Sequence, residues 1–122
     1  MPIVDVTLVV APDATPAADL AQRLADAVGV ALGSSGGETW LRVHVLARDR
    51  YAENQSTLAP DELPIFVTVL KRQPPQATAL EREIVALVGA IAQVTGRAAG
   101  RVHIEYAPAA SGRLAFGGRL VT

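Results

Sequence analysis

The sequence predicts an α/β fold built from two β-α-β units, and three observations lead there. A Val- and Leu-rich run with a Pro-Ile start occurs twice, as MPIVDVTLVV and, about sixty residues later, LPIFVTVLKR. Each run is followed by a stretch with one apolar helical stripe. Each half then closes on a second strand, Arg42-Val43-His44-Val45 in one and Arg101-Val102-His103-Ile104 in the other. A helix between two strands of one sheet makes those strands parallel and the crossover right-handed. The chain is expected to be one domain, 1–122, with a first unit at about 1–60 and a second at 63–122.

Taken in order, residues 3–10 read as a strand that ends at Ala11-Pro12-Asp13, because proline lacks the N–H that a central strand donates. Thr15-Pro16 reads as an N-cap with proline at the first helical position. Leu20, Leu24, Ala27, Val28 and Ala31 then form an apolar stripe, and Gly33 stands where a helix commonly ends. In the closing strand the period is two, so Trp40, Arg42 and His44 share one face and Leu41, Val43 and Val45 the other.

The second unit repeats this order. Ile65 to Leu70 form its strand, stopped by Gln73-Pro74-Pro75-Gln76. Thr78-Ala79-Leu80-Glu81 fits a capping box, Leu80, Ile84, Leu87, Val88 and Ile91 make the stripe, and Gly96 is the stop. Arg101, His103 and Glu105 form the polar face of the last strand. One sheet face therefore meets helices, while the other meets something more polar, a subunit neighbour or a ligand.

Composition narrows the function. The 122 residues are 50% hydrophobic with a net charge of −1 and no cysteine. Thiol catalysis, disulfides and thiolate metal sites are thereby excluded. Scattered Lys and Arg give no footprint for nucleic acid or an acidic membrane surface. No apolar run approaches the roughly 20 residues needed to span a bilayer, and the short apolar start carries Asp5 and no basic leader, so a soluble cytoplasmic protein is expected. Two histidines in separate repeats, with no cysteine and no nearby carboxylate cluster, make a weak case for a three-ligand metal site, and no phosphate-cradling Gly-rich loop follows a strand.

Met1-Pro2-Ile3, the tandem β-α-β units and the ending Gly112-Arg113-Leu114-Ala115-Phe116-Gly117-Gly118 together resemble the tautomerase superfamily, above all its fused 4-oxalocrotonate tautomerase-like members. The resemblance covers nearly the whole chain. It implies a four-stranded mixed sheet with two helices on one face, a homotrimer, and a tautomerase-type isomerase that needs no cofactor and acts on small enol or α-keto acids. It also implies that Met1 is removed and that Pro2 is the general base and acid. Physical chemistry agrees: a free N-terminal proline is a secondary amine with a reference pKa of about 8, which burial and nearby cations lower toward neutrality. Pro64, an amide within the chain, is neither basic nor nucleophilic.

Such substrates carry a carboxylate, so arginines are the candidate anchors. By the resemblance Arg72 ranks first, against a solvated charge at a strand end. Arg42 and His44 lie on the face where short members place an arginine, and His103 falls where dehalogenase-like members place a tyrosine. Either histidine fits a hydrogen-bond donor to a carbonyl or ordinary strand packing. Tyr51 and the Leu114–Phe116 segment, with Phe116, match the apolar wall beside the family's proline or plain interface packing, and Arg113 is a rim charge. Prolines at 12, 74 and 75 replace other family arginines, and Leu114 replaces the water-activating acid, which disfavours hydration and hydrolytic dehalogenation. The rival expectation is a non-catalytic binding module, either on the same fold or ferredoxin-like.

Overall fold

The computed structural model describes residues 1–122. Its order is β1 (Ile3–Val10), α1 (Leu20–Ala31), β2 (Trp40–Ala47), β3 (Ile65–Leu70), α2 (Ala77–Thr95), β4 (Val102–Tyr106), and a short hairpin of β5 (Ala115–Phe116) and β6 (Arg119–Leu120). The main sheet runs β2-β1-β3-β4, with β1 parallel to β2, β3 parallel to β4, and β1 antiparallel to β3. This is the four-stranded mixed sheet with two helices expected from the sequence.

Alternation along the strands builds the core. Val4, Val6, Leu8 and Val10 of β1, with Ile65, Val67 and Val69 of β3, meet Leu20, Leu24 and Val28 of α1 and Leu87 and Ile91 of α2. At about 25 cal/mol per Å² of apolar area buried, these aliphatic side chains supply most of the driving force for folding. No polar or charged residue is fully buried among them. The opposite face carries Asp5, Thr7, Arg42, His44, Phe66, Thr68, His103 and Glu105 and has no helix over it, so its polarity follows directly from the strand period.

The helix stops fall where the glycines predict. Gly33 (φ +67°) closes α1: its N–H bonds the Val30 carbonyl at 3.1 Å and that of Ser34 the Gly29 carbonyl at 2.9 Å. Gly96 (φ +73°) closes α2, its N–H bonding the Ala92 carbonyl at 2.9 Å. The helix starts differ from expectation. α1 begins at Leu20 with Asp19 at its N-cap, not after Thr15. Ala17, Ala18 and Asp19 are exposed and Leu20 is the first buried side chain, so packing begins to support a helix only there. α2 begins at Ala77 after an extended Gln76 with no side-chain cap, so the Thr78–Glu81 pair lies inside the first turn and forms no capping box.

The two Pro-Ile starts are also not equivalent. Ile3 lies on the helix-free face, whereas Ile65 is fully buried in the core, so the repeated dipeptide is offset against the pleat. Pro2 presents its carbonyl to β2, accepting from the Trp40 N–H at 3.1 Å, while Pro64 presents its carbonyl to β1, accepting from Val9 at 3.2 Å. An antiparallel pair at Val9 and Pro64 would exchange two bonds, and proline lacks the second donor. The Arg97 guanidinium supplies it, donating to the Val9 carbonyl at 2.9 Å and to the Leu63 carbonyl at 2.8 Å. Burial pulls the pKa of this arginine below its ordinary value.

Candidate active site

Pro2 is buried at the mouth of the sheet, where β1 starts and β3 ends. Ile3 pairs with Leu70 across the antiparallel ladder, so Pro2 stands opposite Lys71, with Arg72 one residue further on. Arg72 is exposed and donates from Nη1 to the Thr122 carbonyl at 2.9 Å. On the β4 side, Leu70, Ala107, Pro108, Ala109, Ala110, Arg113 and Leu114 line a cavity of about 180 Å³. On the β2 side, Trp40, the partner of Ile3, stacks on Phe116 of the hairpin with ring centroids 4.8 Å apart. The fold thus brings Pro2, Arg72, Arg113 and Phe116 to one end.

Arg42 and His44 sit further along the same sheet, and both are engaged. Arg42 forms a two-pronged ion pair with Asp5, directly across the ladder, through Nε at 2.7 Å and Nη2 at 2.9 Å. His44 Nε2 lies 3.2 Å from the same carboxylate. The Arg42 hydrogen bond holds the Asp5 carboxyl below its usual pKa, against a smaller upward push from burial. A two-point guanidinium–carboxylate pair is the strongest geometry available to these side chains.

Tyr51 and His103 occupy the far end. Phe66 pairs with Thr7 and His103, and its ring lies 5.7 Å from that of Tyr51 and 5.3 Å from that of His103. Thr7 is five residues from Pro2, which at about 3.3 Å per residue separates this cluster from Pro2 by about 16 Å within one chain. Glu53 joins the cluster, accepting from the Tyr51 hydroxyl at 2.6 Å and from Arg101 at 2.7 Å. Those two bonds lower the Glu53 pKa, while burial and then Glu53 raise that of Tyr51.

A third cluster went unread in the sequence. Glu83 of α2 accepts from Lys71 at 2.8 Å and from the Tyr106 hydroxyl, tying the ends of β3 and β4 to the helix beside Pro2. Burial, then Glu83, pushes the Tyr106 pKa well above the ordinary phenol value. Asp5 was missed as well, although Asp5 in β1 and Arg42 in β2 are each the third residue of their strand. A larger open groove, about 700 Å³, runs between α1 and the edge of β2 past Gln22, Asp26 and Thr39. It contains none of the residues expected to act on substrate. No three His, Asp or Glu side chains cluster as metal ligands, and no helix is long and apolar enough to cross a membrane.

Neither a protein-family model nor a curated protein sequence matches the chain. Solved structures do. Pt0534 inactivated by 2-oxo-3-pentynoate superposes with a TM-score of 0.75 at 15% identity, covering 98% of this chain and 94% of that one. The Q0 fused 4-OT wild-type symmetric trimer gives 0.73 at 18% identity, with 98% and 94% covered. The macrophage migration inhibitory factor of Trichinella spiralis gives 0.70 at 15% identity, with 97% and 98% covered. The chain therefore has the fold of the tautomerase superfamily, shared over nearly its full length with fused 4-oxalocrotonate tautomerases and macrophage migration inhibitory factors.

Proposed function

We propose that this chain is a cytoplasmic, homotrimeric, tautomerase-type isomerase of small enol or α-keto acids, a single domain of two β-α-β units that uses Pro2, freed by removal of Met1, as its general base and acid. The observation that carries this reading is the burial of Pro2 at the one end of the sheet where Arg72, Arg113 and a small apolar cavity also gather. An amine on a strand start is stiff, because the proline ring fixes φ and the Pro2 carbonyl is held by Trp40. Trimeric assembly is supported by the likeness to the fused 4-OT trimer.

In the proposed cycle, the Pro2 nitrogen takes the proton of an enol hydroxyl, the freed oxygen electrons form the carbonyl, and the electron pair of the C=C bond moves onto the neighbouring carbon. Pro2 then delivers the proton to that carbon. Arginine at the mouth holds the carboxylate and draws charge toward the developing enolate oxygen. The proton pair nets to zero, so the chemistry requires no cofactor.

The acetylenic acid that inactivates Pt0534 provides the test. Conjugate addition of the amine to 2-oxo-3-pentynoate forms a C–N bond and places a proton on the adjacent carbon, adding the whole reagent mass. Peptide mapping should find one adduct, on a peptide beginning at Pro2. No adduct, or one on Lys71 alone, would count against a free and reactive Pro2, and retained Met1 would favour a binding module.

A further inference from the structure

We infer that Asp5 is a specificity-determining residue: by occupying Arg42 it closes that arginine to substrate and restricts the site to monocarboxylates. This rests on the reading of the open sheet face near Pro2 as the substrate side. Two sets of cations reach that region. Arg72 and Arg113 stand exposed at the mouth, and Arg113 rims the small cavity of Leu70, Ala107, Pro108, Ala109, Ala110 and Leu114. Arg42 lies inward of them on the helix-free face, two residues beyond Trp40.

The two sets differ in what they can still bind. Arg42 already holds a carboxylate at 2.7 and 2.9 Å, in the two-point geometry a substrate carboxylate would use. His44 touches the same oxygen as the Arg42 Nε, so the carboxylate is fixed from two sides. Register makes the arrangement intrinsic to the sheet, since Asp5 and Arg42 are direct partners in the β1–β2 ladder. A second substrate carboxylate arriving there must displace Asp5 and leave it unpaired beside the incoming anion, which like-charge repulsion opposes. At the mouth no side-chain carboxylate competes: Arg72 gives a single Nη1 bond to the Thr122 carbonyl at 2.9 Å, so one substrate carboxylate and a short apolar tail against the Ala- and Pro-lined cavity displace far less.

The test is equilibrium binding, read by calorimetry, of 2-oxobutanoate and its dicarboxylate counterpart 2-oxoglutarate to the processed protein. The wild type should bind the monocarboxylate more tightly. Asp5→Asn should tighten 2-oxoglutarate at least about tenfold more than it tightens 2-oxobutanoate, the scale of one charge-assisted pair. Asp5→Asn combined with Arg42→Met should abolish that differential gain. A wild type that prefers 2-oxoglutarate, a gain shared equally by both acids, a gain that survives loss of Arg42, or no binding of either acid to any variant would overturn the inference. The catalytic reading fails separately: Pro2→Ala with undiminished turnover would end it while leaving the binding differential intact.

Discussion

The two ends of the β1–β3 pair show what one dipeptide does in two covalent and structural settings. Both begin with Pro-Ile and both prolines are buried. At the Pro64 end the missing N–H falls opposite Val9, and the structure compensates with Arg97, which caps the Val9 and Leu63 carbonyls at once. At the Pro2 end no such replacement is made. Its β1–β3 neighbour position falls between hydrogen-bonded pairs, so the missing donor leaves no gap in that ladder. The nitrogen of Pro2 is spare where that of Pro64 is built around. A nitrogen that the ladder does not use is the one available for chemistry.

The largest effect that separates the two ends is catalytic. Pro2→Ala should lower kcat/KM for ketonisation of phenylenolpyruvate by about 10²- to 10⁴-fold, the range of a lost general base, whereas Pro64→Ala should change it by less than about threefold. Comparable losses in both would erase the distinction. Stability should show the opposite pattern. Arg97→Met leaves the Val9 and Leu63 carbonyls without their side-chain donor and should cost about 2 to 4 kcal/mol in urea unfolding. A loss below about 0.5 kcal/mol would mean that water replaces the guanidinium.

A smaller effect tests the support around Pro2. Glu83→Gln weakens the bonds to Lys71 and Tyr106 and should cost about 1 to 2 kcal/mol, with kcat falling more than KM rises if the cluster positions the mouth. The smallest is a pH effect at the Asp5–Arg42 pair. Because the folded Asp5 pKa lies below its unfolded value of about 3.9, its contribution is complete above that value and disappears as pH falls through the folded one. The gap in urea midpoint between wild type and Asp5→Asn should therefore close as pH is taken progressively below about 3.9 and through the lowered folded value. A gap that persists there would assign the difference to packing.

What the sequence made legible was whatever a local period encodes. Both first strands, the stripes of both helices and the glycine stops were readable because alternation and helical spacing are properties of neighbouring residues. Helix starts were not, since Thr15 and Thr78 carry capping chemistry but the burial that sustains a turn begins at Leu20 in one case and the chain turns helical at Ala77 in the other. Pairings across 37 or more residues, such as Asp5 with Arg42 or Arg97 with Val9, were invisible because they depend on register. The Asp5 match was within reach: parallel register with the strand one helix later pairs the third residue of each strand on one face. The repeated Pro-Ile misled in a useful way, since it located two strand starts correctly while hiding the offset that puts Ile3 on one face and Ile65 on the other.

The proposed chemistry requires that Pro2 carry a free, titrating amine. The most direct measurement is ¹⁵N NMR of the protein labelled at proline, followed from pH 5 to 10 alongside intact mass. The expected result is a mass lacking Met1 and one titrating secondary-amine nitrogen with a midpoint at or below about 8. Retained Met1, or a proline spectrum in which no nitrogen titrates, would contradict it.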